Sequence, residues 1–268
     1  MSGSIAAELI VQRKRASTWI LLGVFAALSV FFLYVLPATD EVTPDLLPEG
    51  VAGNVARIFP VFGGVFALML GVLTIGSDYG WDTIKTLFTQ RPGRVAILGG
   101  KLLALGLVLL VFALVVLAGG AVASYVVALS EDADVDWPSA WLLVRTWAAG
   151  WFILAVWAAL GVLLAVLSRG TALAIGIAIL YALVIEGLIS ALVGSVSAIE
   201  PLTEIFLRTN AYSIATALGA SEERIADSGP GSFSGPYVDT AQAVVVLAAY
   251  LALFVLVSAV VLRRRDVT

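Results

Sequence analysis

One stretch, SDYGWDTIKTLFTQRPGR at residues 77–94, contains the charged side chains that are best suited to a specific interaction. Within it Trp81, Ile84 and Leu87 or Phe88 recur at helical spacing, which predicts a short helix with one apolar stripe. Such a stripe inside a charged rim has the chemistry of a protein-docking surface. A surface helix that only covers the ends of neighbouring membrane spans is an equally open alternative. The charged residues of the stretch are Asp78, Asp82, Lys85, Arg91 and Arg94.

Catalytic chemistry on this chain is not predicted. The sequence contains no Cys and no His, which removes disulfides, thiol nucleophiles and the commonest zinc and iron ligands. Gly99-Gly100-Lys101 is part of a phosphate-loop pattern, but the full pattern also needs Gly at position 95 and Ser or Thr at position 102. This chain has Val95 and Leu102 there. We therefore expect no metal site, no ATP-binding site and no cofactor in this chain, which is not itself an enzyme.

The elements that position the charged stretch are membrane spans. Hydrophobic residues make up 61% of the chain and charged residues 13%, whereas soluble domains have about 45–50% and about 25%. Apolar runs near the ~20 residues of a bilayer span recur along the chain and do not alternate, which predicts helices. We expect a single all-α transmembrane domain, residues 1–268, with six spans. The runs are Trp19–Leu36, Ile58–Ile75, Leu102–Leu129, Trp141–Leu167, Thr171–Val193 and Ala241–Leu262.

Three segments outside the spans carry further expectations. Residues 4–16 predict an amphipathic helix that lies on the inner leaflet, and residues 80–90 predict the short helix described above. Residues 195–239 form a long segment between spans five and six on the outer side. Its first part, 199–219, reads as helical and half apolar, so it either dips into the outer leaflet or lies flat on protein.

The charge distribution predicts the orientation of the chain. With the six runs threaded alternately, most of the 15 Lys and Arg residues fall on the side that holds the N-terminus. Basic residues favour the cytoplasmic side. We expect a multi-pass protein of the cell inner (plasma) membrane, surrounded by lipid bilayer, with both termini cytoplasmic and no nucleic-acid partner. Lys101, at the start of the third run, is expected to extend back to the inner surface.

Two ionisable residues, Arg145 and Glu186, lie within the apolar runs and are therefore functional candidates. Counting depth at about 1.5 Å per residue places both in the outer half of spans four and five. The interpretation favoured here is an Arg145–Glu186 ion pair that locks these two spans together. In the alternative, Glu186 and Tyr181 face a dimer axis and meet a cationic or polar group of a substrate.

The charged stretch also resembles the first cytoplasmic loop of type-2 ATP-binding-cassette (ABC) exporter permeases. The resemblance covers nearly the whole chain, since that family has an amphipathic N-terminal helix, six spans, a minimal second cytoplasmic loop and a long outer segment before the last span. Family members often have Glu in place of Asp78 and Gly in place of Asp82. The matching positions are Asp78, Asp82-Thr83, Lys85, Leu87-Phe88, Pro92-Gly93-Arg94 and Lys101.

The resemblance implies that residues 80–90 are a coupling helix, which seats in a groove of a separate cytoplasmic ABC ATPase subunit. ATP and Mg would then bind the partner, and a second permease copy or a homologue would complete the transporter. The implied ATPase interface consists of Asp78, Tyr79, Trp81, Asp82, Thr83, Ile84, Lys85, Leu87, Phe88, Arg91 and Arg94.

The resemblance further implies that spans two and five border a substrate path. Its lining would suit export of a hydrophobic or amphipathic cargo such as a lipid, a drug or a natural product. The candidate lining residues are Phe59, Phe62, Phe66, Met69, Tyr181, Ile185 and Glu186.

Other functions stay open on sequence alone. An ion- or proton-coupled carrier could use Glu186 at its midplane, although such carriers usually show internal repeats or broken helices. An intramembrane enzyme needs paired carboxylates, a Ser–His pair or metal ligands, and a lone in-span Glu does not provide them. An ABC permease could instead serve assembly of a periplasmic metalloenzyme or govern differentiation.

Overall fold

The computed structural model describes residues 2–39, 42–80, 93–186, 188–189, 200–226, 232–233 and 235–264. Over these residues the chain is helical and forms no β-strand, which confirms the predicted all-α class. The helices are α1 (Ser2–Lys14), α2 (Ala16–Val30), α3 (Val51–Ala56), α4 (Gly64–Gly80), α5 (Arg94–Ser130), α6 (Ala140–Ser168), α7 (Thr171–Ile179), α8 (Glu200–Thr203), α9 (Leu207–Thr216), α10 (Glu222–Ala226) and α11 (Thr240–Arg264). π-helical turns extend several of them, at Phe31–Val35 after α2, Phe59–Gly63 before α4 and Leu180–Ile185 after α7. Single 3₁₀ turns lie at Pro37–Thr39, Pro44–Leu46 and Pro48–Gly50.

Among the described residues, five helical segments are long and apolar enough to cross a membrane. They are Ala16–Thr39, Phe59–Asp78, Val95–Ser130, Ala140–Ser168 and Thr240–Arg264, and each overlaps one predicted run. The remaining predicted run, Thr171–Val193, is described as a shorter apolar helix, Thr171–Ile185. Residues 187 and 190–193 lie outside the described part of the chain, so the sixth span stays a prediction.

Helices α4 and α6 form the centre of the bundle and make its most extensive helix–helix contact. Glycines allow their backbones to meet. A Cβ atom at residue 71 would lie 2.1 Å from the carbonyl oxygen of Ala158, and one at residue 161 would lie 2.2 Å from that of Leu68. Small residues at such crossings are how helices pack closely in lipid, where expulsion from water does not drive association.

Helix α5 lies against α6 through a pair of indole hydrogen bonds. Nε1 of Trp147 donates to the carbonyl oxygen of Leu110 at 3.0 Å, and Nε1 of Trp151 donates to that of Gly106 at 2.9 Å. The two donors are four residues apart on α6, and the two acceptors are four residues apart on α5 in the reverse order. The pair therefore fixes the register of two antiparallel helices.

Helices α6 and α7 form a tight hairpin. Arg169 ends α6 in the left-handed region, with φ 56°, and α7 begins at Thr171 after Gly170. A residue in this conformation reverses the chain directly after a helix.

Alternation of the helices gives the bundle two ends. At the Asp78 end, α1 meets the last turn of α4 and the first turns of α5. At the Glu186 end, the turn after α7 meets α9, and α10 meets the Pro44–Leu46 turn. These two names are used for the ends below.

The α4–α6 contact predicts a large effect of one methyl group. We expect Gly71→Ala to lower the free energy of unfolding by about 1–3 kcal/mol, because the new Cβ must push α4 away from the α6 backbone. Gly23→Ala is the matched control, since a Cβ there meets no atom within 4 Å and the site is exposed on α2. Thermal unfolding of the purified protein in detergent measures both variants. Equal unfolding temperatures for the two would contradict the proposed packing.

Candidate functional site

The predicted docking helix is flanked by described helices on both sides. Residues 81–92 lie outside the described residues, so the roles of Trp81, Asp82, Thr83, Ile84, Lys85, Leu87, Phe88 and Arg91 stay predictions. Tyr79 belongs to the last turn of α4, and Arg94 is the first residue of α5.

Four charged side chains meet at the Asp78 end. The ammonium nitrogen of Lys101 lies 3.0 Å from Oδ2 of Asp78 and 3.0 Å from Oε1 of Glu8. Arg15 adds a second cation, with Nη2 3.8 Å from Oδ1 of Asp78. We call these four residues the Asp78 network. It joins α1, the residue between α1 and α2, the end of α4 and the start of α5.

The network is enclosed by protein. Asp78 is 7% exposed and Lys101 6% exposed. Lys101 does not extend to the membrane surface as expected, because its ammonium group bridges two carboxylates of the chain itself. Asp78 likewise turns inward, so its carboxylate serves this internal network and does not present an open surface to a partner.

Helix α1 turns its polar side toward the bundle. Nε2 of Gln12 donates to Oγ1 of Thr74 at 3.1 Å, and Oγ1 of Thr18 donates to Oε1 of Gln12 at 3.1 Å. Nη1 of Arg15 donates to the carbonyl oxygen of Leu73 at 2.9 Å. Ile10 is 54% exposed on the other side. Gln12 and Arg15 thus bind α1 to α4, while the exposed side carries Arg13 and Lys14 beside Ile10 and Val11. The predicted position of α1 on the inner leaflet stays a prediction.

At the Glu186 end, a carboxylate caps a helix. Glu186 is 1% exposed. Its Oε1 accepts from the hydroxyl of Tyr181 at 2.6 Å and from the backbone N–H of Leu207 at 3.0 Å, and its Oε2 accepts from the N–H of Arg208 at 3.0 Å. Phe206, the N-cap residue of α9, offers no side-chain cap. Glu186 therefore supplies the acceptors that the first turn of α9 lacks, at the positive end of the helix dipole.

The predicted ion pair between Arg145 and Glu186 is wrong. The structure describes both residues and forms no salt bridge between them; Arg145 is exposed on α6. The depth count treated spans four and five as isolated neighbours and took no account of α9. Two backbone N–H groups of α9 and a tyrosine hydroxyl satisfy the carboxylate instead.

Helix α9 is enclosed by protein along its length. Every residue from Leu207 to Ala215 is buried, and the helix packs against α11 and the Phe59–Gly63 turn. The ring of Tyr212 stacks on that of Phe233 at 5.1 Å between centroids, and the Arg208 guanidinium lies 5.8 Å from the Phe233 centroid. Burial raises the pKa of Tyr212 to about 12. The described part of 199–219 is helical as predicted, and α9 rests on protein.

A second polar cluster at this end was missed from the sequence. Nη2 of Arg224 donates to Oγ1 of Thr43 at 2.6 Å, and its Nε lies 3.8 Å from Oδ2 of Asp45. Nε of Arg57 donates to Oδ1 of Asn54 at 2.7 Å. Burial, and next the charge of Arg224, lower the pKa of Arg57 to about 10, so Arg57 stays cationic at neutral pH. The Arg224 contacts tie α10 to the Pro44–Leu46 turn.

The candidate path residues do not share one surface. Phe59 is 1% exposed in the core. Phe62 and Phe66 lie against Phe25, with ring centroids 6.0 Å and 5.2 Å away. Tyr181 is committed to Glu186, and Ile185 is exposed. Met69 is half-buried.

An apolar groove of about 370 Å³ lies elsewhere, between α5, α6 and α11. None of the candidate path residues lines it. Its lining includes Leu105, Leu109, Trp151, Ala155, Leu251 and Val255.

Comparison with protein families decides what this architecture belongs to. The profile described as ABC-2 family transporter protein matches residues 4–267. The chain belongs to the ABC-2 transporter family. A comparison with curated proteins found no match.

Family membership agrees with the apolar helices of the fold, and together they make the chain an integral membrane protein. Its family indicates an ABC permease, a class that generally works with a cytoplasmic ATPase subunit. The resemblance noted from residues 78–101 is confirmed at this level.

The Glu186 geometry predicts a structural effect. We expect Glu186→Leu to lower the free energy of unfolding by about 1–3 kcal/mol for each N–H of α9 left without an acceptor. Glu186→Gln keeps one acceptor oxygen, so its free energy of unfolding should lie between those of the parent protein and Glu186→Leu. Asp136→Asn, an exposed change at the same end of the bundle, is the control. Thermal unfolding in detergent measures all three, and a Glu186→Leu protein as stable as the parent would contradict the capping role.

Proposed function

We propose that this chain is the membrane-spanning permease subunit of an ABC exporter. It moves a hydrophobic or amphipathic cargo outward, driven by ATP hydrolysis on a separate cytoplasmic ATPase subunit that docks on residues 78–94. The observation that carries the proposal is the family match over residues 4–267.

The helices that flank residues 81–92 support this segment as the docking site. The last turn of α4 and the first turns of α5 are joined by the Asp78–Lys101 ion pair at 3.0 Å. Both ends of the segment therefore start from one rigid frame. A rigid frame is what a mechanical input from a partner requires, because a displacement of the segment then moves the two helices together. With Asp78 turned inward, the apolar stripe at Trp81, Ile84 and Leu87 supplies the anchors.

The sequence supports a separate ATPase. The chain has no complete phosphate-loop pattern around Lys101. ATP and Mg would therefore bind the partner subunit, and a second permease copy or a homologue would complete the membrane part. The excess of Lys and Arg on one side supports an inner-membrane protein with both termini in the cytoplasm.

The surroundings of Glu186 argue against the alternative function of an ion-coupled carrier. A coupling carboxylate must exchange its proton or ion with an aqueous path. Glu186 is instead 1% exposed, and its two oxygens accept three hydrogen bonds from the chain itself.

The docking site is tested by changing its apolar anchor and its basic rim together. We expect Trp81→Ala/Lys85→Glu to abolish co-purification of an ATPase subunit with the tagged permease and to lower the ATPase activity of the membrane complex. An alanine at position 81 removes the largest apolar anchor, and a glutamate at position 85 reverses a rim charge. Pull-down from native membranes, followed by an ATPase assay, measures both effects.

A matched control exists at the other end of the bundle. Trp141→Ala/Arg145→Glu changes a Trp and a basic residue at the same spacing on exposed positions of α6, and it should leave ATPase recovery unchanged. Recovery of the permease alone, without an ATPase even for the parent protein, would contradict the proposed function.

A further inference from the structure

We propose that the Asp78 network is a clasp that makes α1 move together with the ends of α4 and α5 that flank residues 81–92, and that Glu8 is its positioning residue on α1. The inference rests on the proposed function, because it takes residues 81–92 as the segment on which a partner ATPase acts. It adds a component to that function, since it makes α1 a moving part of the coupling apparatus.

The clasp begins with a single ammonium group. Lys101 lies on α5, which follows residues 81–92 in the chain, and Asp78 lies on α4, which precedes them. The same nitrogen that binds Asp78 also contacts both carboxylate oxygens of Glu8, at 3.0 Å and 3.1 Å. Helix α1 is therefore bound at the point where the two flanking helices meet.

Neighbouring contacts hold α1 along the same line. Gln12 bonds to Thr74 of α4, one turn before Asp78, and Arg15 bonds to the adjacent Leu73 carbonyl oxygen. Glu8 and Gln12 lie one turn apart on α1, and Arg15 directly follows the helix. All three side chains contact the flanking helices.

Burial makes this connection stiff. The side chains of Asp78 and Lys101 are 9% and 7% exposed, and that of Glu8 is 14% exposed. Exposed ion pairs on long side chains hold geometry weakly. Separation of a buried pair leaves a charge uncompensated, which is strongly unfavourable. Displacement of the α4–α5 frame therefore carries α1 with it.

The link between α1 and α2 is short. Arg15 alone separates these helices, and its backbone is extended, with φ −76° and ψ 116°. Helix α1 is thus bound to α4 and α5 by buried charges, and Arg15, which joins it to α2, belongs to the same network.

The experiment follows the environment of α1 in the permease–ATPase complex. The chain has no cysteine, so Ile10→Cys provides one labelling site in the permease, on the exposed side of α1. The labelled permease carries an environment-sensitive fluorophore, and its emission is compared without nucleotide and with ATP plus vanadate. We expect a nucleotide-dependent shift that is lost in Glu8→Ala, while the ATPase still co-purifies.

Two further variants separate positioning from stability. Arg13→Ala removes an exposed charge of α1 and should keep the shift. Glu8→Gln can still accept a hydrogen bond from Lys101, and it should restore part of the shift that Glu8→Ala loses. Because Glu8→Ala leaves the Asp78–Lys101 pair in place, we expect its unfolding temperature to stay close to that of Arg13→Ala. If the Glu8→Ala protein does not fold, Glu8→Gln tests the clasp in its place. The nucleotide-dependent fluorescence shift of Glu8→Gln must then be smaller than that of Arg13→Ala.

The outcomes are distinguishable from failure of the proposed function. An ATPase that co-purifies with the parent permease, together with an Ile10 label that does not respond to nucleotide, would overturn the clasp alone. A full shift in Glu8→Ala would also overturn it, as would loss of the ATPase from a folded Glu8→Ala protein, because Glu8 would then be a docking contact. Absence of the ATPase from the parent complex would instead overturn the proposed function, and the clasp with it.

Discussion

The close approach of α4 and α6 is the contact on which the rest of the molecule depends. Gly71 faces a carbonyl oxygen of α6, and Gly161 faces a carbonyl oxygen of α4, so each backbone is recessed where the other protrudes. In lipid this fit must supply much of the association energy, because apolar side chains gain little by leaving hydrocarbon for protein. The contact also fixes both ends of α4. One end holds Asp78, and the turn that precedes α4 packs against α9. Both candidate sites are therefore positioned by one helix.

The two ends satisfy a buried carboxylate in different ways. Asp78 lies beside two cations, Lys101 and Arg15, each from another segment of the chain. Glu186 instead accepts from two backbone N–H groups and a hydroxyl. Removing a charge from water is costly unless hydrogen bonds or counter-charges replace the lost hydration. The first solution links side chains of separate helical segments to one another, whereas the second ties a side chain to the start of a helix. The Asp78 end is therefore better suited to transmit motion, and the Glu186 end is better suited to hold α9 in place.

Features set by the bilayer or by neighbouring residues were predictable from the sequence. Apolar run length located five spans, because membrane thickness fixes how many residues a crossing helix needs. Only residues 168–170 separate two of the long apolar runs, which left α6 and α7 no alternative to a tight hairpin. The hydrogen-bond partners of Glu186 were not predictable. They belong to α9, which begins more than 20 positions further along the chain, and they depend on where that helix packs. The burial of Lys101 was missed for a similar reason, although Glu8 and Gln12 lie one turn apart in the sequence and Arg15 follows three residues later. An apolar stripe alone does not reveal which side of a membrane-surface helix faces protein.

The motif shared with exporter permeases thus combines two physical roles. Asp78 and Lys101 are its outer members, and they are buried against each other, which suits residues that frame a segment. The members between them, Asp82-Thr83, Lys85 and Leu87-Phe88, are the ones that the proposed function assigns to a partner. The two roles tolerate different changes. A frame position needs a charge of fixed sign at a fixed depth, so Asp in place of Glu at position 78 still pairs with Lys101. Under the proposed function, a contact position needs only to match the surface it meets, so Asp in place of Gly at position 82 would change which partner fits. Partner specificity would then belong to residues 81–92, and transmission of the partner's motion would belong to the network that links α4 to α5.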